Sequence, residues 1–116
     1  MAKLIIYHNP ACGNSRGAME LLRERGVEFD VIEYLKTPPA REALEKILAM
    51  LEGPAEDLVR KDKRFGELGL KAEDYHDKKK IVALLLEHPE LMQRPVIIKG
   101  KRAIIARPPE KLTALL

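Results

Sequence analysis

Cys12 is the only cysteine in the chain, and His8, Ser15 and Arg16 stand close to it in sequence. A cysteine works as a nucleophile or a metal ligand only as its thiolate, so the question is what holds a proton off this one. Cys12 falls where an apolar run ends in a polar turn and a helix is due to begin. The first backbone N–H groups of a helix have no partner within it, and the helix dipole places positive charge at the same end. Both favour a thiolate, and the same donors form an anion site. Ser15 offers a hydroxyl to the sulfur or to the helix backbone. His8 and Arg16 offer positive charge, or stand as a strand-end histidine and a solvated arginine. A lone cysteine can also be a small buried hydrophobe, but that role needs none of these neighbours.

Cys12-Gly13-Asn14-Ser15 reads as a C-x-x-C pair whose second cysteine is serine. A C-x-x-C enzyme resolves its mixed disulfide internally; here a redox cycle needs a thiol from outside the chain. His8 and Cys12 also form half of a metal-ligand pattern. His76 and His88 lie far off in sequence and complete no pair, so no metal is expected.

The elements that must position these residues follow from pattern. Lys3–Tyr7 is a strand and His8-Asn9-Pro10 a turn; a helix then begins near Cys12 or Gly13, with Gly26 just past its end. Residues 27–34 form a second strand. Thr37-Pro38-Pro39 is expected to start a helix, with Thr37 as its N-cap and Leu44, Ile47, Leu48 and Leu51 along its apolar face. Gly53-Pro54 ends it. Residues 55–75 read as short helical pieces and loops carrying Arg60, Lys61 and Arg64, and Lys78–His88 as a helix whose Lys78-Lys79-Lys80 start faces solvent. Residues 95–98 and 102–106 form a hairpin about Lys99-Gly100-Lys101, and Pro108-Pro109 opens a last short helix. The order β-α-β, helices, β-β-α predicts an α/β fold: a mixed, thioredoxin-like sheet with a helical insertion.

At 116 residues the chain is expected to be a single domain, residues 1–116. Its net charge of +3 falls short of a nucleic-acid-binding signature. The longest aliphatic run, Ile81–Leu86, is too short to span a bilayer, and Met-Ala-Lys-Leu-Ile-Ile-Tyr-His lacks a signal-peptide layout. A cytoplasmic location, with no membrane and no direct nucleic-acid contact, is the expectation, as is a monomer.

His8-Asn9-Pro10-Ala11-Cys12-Gly13-Asn14-Ser15-Arg16 resembles the active-site segment of the glutaredoxin-dependent arsenate reductases and their close relatives. The likeness continues through Tyr34–Pro39, Leu58–Lys61, Glu67–Leu70, His88-Pro89, Arg94–Ile97 and Ala106–Glu110, in register along nearly the whole chain. It implies the thioredoxin-like (glutaredoxin-type) fold, with a cis-proline at Arg94-Pro95 beside the cysteine. It implies that Cys12 attacks arsenate, that His8 and Ser15 activate it, and that Arg60, Arg94 and Arg107 hold the oxyanion. Read singly, each arginine is a solvated charge. Guanidinium forks match the oxygens of arsenate better than ammonium groups do. Glutathione then releases reduced arsenic and glutaredoxin clears the mixed disulfide, with no tightly bound cofactor. Two alternatives stand beside this. One is a Spx-like regulator that binds RNA polymerase, against whose disulfide-sensing form Ser15 argues. The other is a glutathione-linked thiol reductase acting on a different substrate.

Overall fold

The computed structural model describes residues 3–116. Met1 and Ala2, the first residues of the N-terminal stretch expected to lack a signal-peptide layout, lie outside them. Four strands, β1 (Leu4–His8), β2 (Phe29–Glu33), β3 (Val96–Lys99) and β4 (Arg102–Ile105), form one sheet in the order β2-β1-β3-β4. β1 and β2 pair in parallel, Ile6 opposite Val31; β1 and β3 pair antiparallel, Ile6 opposite Ile97; β3 and β4 close the hairpin. A parallel pair needs a crossover, and helix α1 (Gly13–Glu24) supplies it. Helices α2 (Arg41–Met50), α3 (Lys63–Glu67) and α4 (Lys78–Glu87) make up the insertion before β3. This is the thioredoxin-like arrangement the element order predicts.

Side chains alternate across a strand, and the alternation divides the core into two layers. Leu4, Ile6, Ile97 and Ile104 face α1 and pack on Ala18, Met19, Leu22 and Leu112. Tyr7 and Val96 face the insertion and pack on residues such as Leu44, Ile47, Ile81 and Leu85. β1 is central and carries its apolar side chains into both layers.

The ends of elements differ from expectation in ways the backbone explains. β2 begins at Phe29, because Gly26 (φ 65°) closes α1 with two reverse bonds, Val27 N–H to Leu22 O (3.1 Å) and Gly26 N–H to Arg23 O (3.0 Å). This motif uses Val27 as the helix stop. Thr37 is not the N-cap of α2: the helix starts at Arg41, with Ala40 at the cap position and no side-chain cap. A residue before proline is driven to extended backbone, so Pro38 and Pro39 hold Thr37 and Pro38 out of the helix. Leu51 lies past the end of α2, bridging to Ala103. Residues 55–75 are short pieces, with 3-10 turns at Ala55–Leu58 and Ala72–Asp74 on either side of α3. α4 ends at Glu87, and the last helix is a 3-10 segment, Pro109–Leu115. The two-residue turn Gly100-Lys101 takes φ 63° at Gly100, the hairpin geometry glycine permits. The Arg94-Pro95 and Arg107-Pro108 bonds are both cis. No helix among the described residues is long and apolar enough to cross a membrane.

Candidate functional site

The site begins where β1 stops. Asn9 turns the chain: its side-chain carbonyl accepts the Ala11 N–H at 2.9 Å, and its backbone carbonyl accepts the Cys12 N–H at 3.0 Å. Such a turn is what asparagine offers at this spacing. It delivers Cys12 to the N-cap of α1, with extended backbone (φ −97°, ψ 123°) and its carbonyl accepting the first helical bond from Arg16 at 3.0 Å. The Asn14 and Ser15 N–H groups, unclaimed by the helix, lie at the sulfur's end of it and lower its pKa.

Two guanidinium groups meet the sulfur from the other side. Arg107 Nη1 stands 3.7 Å from Cys12 Sγ and donates to the Arg94 carbonyl at 2.9 Å. Arg94 also lowers the pKa of the thiol, and its Nε is buried with no partner. A buried N–H without an acceptor is costly, and one on an arginine beside a thiol and a second guanidinium fits an anion. Burial, with 8% of Cys12 exposed, pushes the thiol up; the four donors outweigh it and bring the pKa down to about 7. The thiol therefore ionises more readily than an ordinary cysteine's.

His8 and Ser15 pair with each other, and of the two readings open for each the local one is what the structure shows. The Ser15 hydroxyl does not face the sulfur. It accepts the Asn9 N–H at 3.0 Å and stands 2.6 Å from His8 Nδ1. Burial lowers the His8 pKa; Glu33 opposes this, and Arg23 and Arg16 add to it. His8 is thus neutral near pH 7, and the charge beside the thiolate comes from Arg94 and Arg107. In the tautomer that leaves Nδ1 unprotonated, His8 accepts a hydrogen bond from the Ser15 hydroxyl. Arg16 is exposed and bonds the Pro10 carbonyl at 3.0 Å.

Arg60 is held apart from that cluster. Its Nε pairs with Asp62 at 2.7 Å, and none of the hydrogen bonds among the described residues joins it to Cys12. Its segment does run beside the one that leads to Arg94, through the Val59–Met92 bridge and the Gln93 N–H bonded to Leu58 O at 2.7 Å. The structure therefore brings Cys12, Arg94 and Arg107 into one cluster, places His8 and Ser15 behind it, and leaves Arg60 on an adjoining segment. Beyond Arg107 opens a groove of about 680 Å3 whose lining includes Gln93, Lys61 and Lys111, with Glu52 and Asp57 opposite in charge.

Two contributors escape the sequence pattern. Asn9 shows there only as part of a turn, yet each of its polar groups bonds within the site. Tyr34 shows only as the end of a strand, yet its hydroxyl accepts the Asn9 side-chain amide at 3.4 Å, and none of it is exposed. The usable signal is the phenol itself, a polar group closing a strand beside the one that leads to Cys12. Among the described residues no group of three or more His, Cys, Asp or Glu could hold a metal ion.

The profile of the ArsC family matches residues 7–115. The arsenate reductase of Escherichia coli (strain K12) is 38% identical over 117 residues, a match covering all of this chain and 82% of that protein. The arsenate reductase of Neisseria meningitidis serogroup A is 36% identical, covering all of both. The solved arsenate reductase of Vibrio cholerae superposes with a TM-score of 0.88 at 32% identity, covering 99% of this chain and 98% of that one.

Proposed function

Because the chain belongs to the ArsC family, we propose that it is a thiol-dependent arsenate reductase with Cys12 as nucleophile. The observation that carries this reading is the buried, unpartnered Arg94 Nε beside a thiol already met by Arg94 and Arg107. An arsenate oxygen supplies the missing acceptor, and bound there its arsenic lies next to the sulfur. In this reading the oxyanion is held by Arg94 and Arg107. Arg60 joins them by exchanging its Asp62 partner for an arsenate oxygen.

The first step exchanges a ligand on arsenic and moves no electrons: the Cys12 thiol and the arsenate monoanion give the S–As(V) ester and water. The two guanidiniums offset the charge on the arsenate oxygens as the S–As bond forms. His8 and Ser15 act by fixing the loop that carries Cys12, since the Ser15 hydroxyl is engaged with His8 and Asn9. Reduction follows when glutathione thiolate adds to arsenic and the two sulfurs join. Arsenic leaves as arsenite with the two electrons given up by the thiolates, and Cys12 remains as a mixed disulfide with glutathione. A glutaredoxin thiolate attacks the glutathione sulfur and releases Cys12. No second cysteine exists in the chain to do this work. The groove beyond Arg107 gives glutathione an approach lined by charges of both signs. The reaction belongs in the cytoplasm, where both thiols are kept reduced.

The test is arsenate-dependent NADPH oxidation with glutathione, glutaredoxin and glutathione reductase. The native chain should turn over and Cys12→Ser should not. Turnover retained in Cys12→Ser would remove the mechanism. Its absence in the native chain would remove arsenate as substrate or glutathione as reductant.

A further inference from the structure

The carboxylate of Asp62 is used twice. Oδ1 accepts the Phe65 N–H at 3.2 Å, which makes Asp62 the N-cap of α3. Oδ2 accepts Arg60 Nε at 2.7 Å. The cap holds the carboxylate in one place, so this ion pair does not wait on two free side chains to meet. With 25% of the Arg60 side chain and 29% of that of Asp62 exposed, the pair is only partly open to screening by water.

The backbone beneath Arg60 is fixed as well, and fixed to the segment that leads into the site. The Arg60 N–H bonds the Leu91 carbonyl at 2.6 Å and the Gln93 N–H bonds the Leu58 carbonyl at 2.7 Å, on either side of the Val59–Met92 bridge. Gln93 precedes Arg94, whose buried Nε has no partner. Any move of Arg60 toward an anion held by Arg94 is therefore a side-chain rotation, and the bond it leaves is the one to Asp62.

We propose that Asp62 sets the affinity of the oxyanion site: its carboxylate is an internal anion that holds Arg60 while the site is empty and that an incoming oxyanion must displace. This rests on the reading of Arg60, with Arg94 and Arg107, as an oxyanion ligand. A site whose binding-competent form is a fraction of the population binds more weakly by that fraction. For an ion pair of this exposure the weakening is about two- to fivefold.

Asp62→Asn removes the charge and keeps an oxygen to cap α3. Protection of Cys12 from iodoacetamide by arsenate, without glutathione, reads binding apart from turnover, each variant being compared with its own unprotected rate. The half-protecting concentration should fall by the same factor in Asp62→Asn, and the KM for arsenate with it. Asp62→Ala should show the same gain while its denaturant midpoint drops, because it alone loses the cap. In an Arg60→Ala background, Asp62→Asn should change the protection no further, because the carboxylate acts through the arginine. Unchanged or weaker protection in Asp62→Asn would overturn the proposal, as would an equal gain in the Arg60→Ala background. A native chain left unprotected by arsenate would remove the oxyanion reading itself, and the proposal with it. Should Asp62→Asn not fold, the Nε–H resonance of Arg60, assigned through Arg60→Ala, should move when arsenate is added to the native chain. An unmoved resonance there would also overturn the proposal.

Discussion

At Cys12 two effects of similar kind oppose each other, and the outcome is visible in pH. Burial disfavours the anion, while the Asn14 and Ser15 N–H groups with Arg94 and Arg107 favour it, leaving the thiol at about 7. Alkylation by iodoacetamide should follow a single titration with its midpoint there. Arg107→Ala removes a donor 3.7 Å from the sulfur and should raise the midpoint by about one unit. Arg60→Ala should leave it in place, since Arg60 is spent on Asp62; an equal rise in both variants would contradict this geometry. The same depression links to folding. The folded thiol titrates below the unfolded one, so the native anion contributes stability that is fully present above the unfolded value and is lost as pH falls through about 7. Against Cys12→Ser, the native chain should therefore gain up to about 2 kcal/mol between mildly acidic and mildly basic pH, taking about 8.5 for a free thiol. Denaturant unfolding of both proteins across that range measures it; a difference that stays flat would mean the thiol is not depressed. The backbone part of this site was legible in the sequence, because a cysteine between a strand and a helix start meets the free N–H groups whatever the fold. The Ser15 orientation was open to the same reasoning: at the third helical position it is the backbone N–H that faces the cap residue. Arg94 and Arg107 were not legible from local pattern, since nothing within several residues of them names a partner at position 12. Only the register of the whole family pattern pointed to them.

Elements succeed or fail here at their ends. The stop of α1 is legible because it is a glycine held at positive φ, whereas α2 starts late because two prolines keep the chain extended. Proline at a helix start is favoured only at the first helical position, and a Pro-Pro pair leaves undecided which of the two, or a later residue, opens the helix. A tight approach between elements is also at an end. A Cβ added at Gly17 on α1 would sit 3.0 Å from Pro109 Cγ, at the start of the final 3-10 segment. Pro109 lies two residues past Arg107, so this contact sets how near the arginine comes to the helix that bears Cys12. Gly17→Val should force the segments apart, costing about 1–3 kcal/mol in denaturant unfolding and raising the KM for arsenate. A variant of native stability and native KM would mean that the proline gives way without moving Arg107.

The molecule as a whole is held by strands that serve two cores at once. Leu4 and Ile6 point to the α1 layer while Tyr7, on the same strand, points to the insertion; Ile97 and Val96 divide in the same way on β3. The site sits where these layers meet, with Cys12 carried by β1 and α1, and Arg94 and Arg107 by the segments that flank the hairpin. Loss of either layer should therefore loosen both the sheet and the site. Leu22 and Ile47 are fully buried, one in each layer, with the sheet between them. Truncating either to alanine should cost about 2–5 kcal/mol, a large part of the roughly 5–15 kcal/mol that stabilises a domain of this kind. If the sheet couples the layers, Leu22→Ala and Ile47→Ala each lower one cooperative transition. Far-UV circular dichroism, tyrosine fluorescence and arsenate turnover should then be lost at the same denaturant concentration. Were Ile47→Ala instead to melt the insertion while α1 and the thiolate of Cys12 persisted, the layers would be separate folding units. The insertion would then serve Arg60 and Tyr34 without supporting the nucleophile.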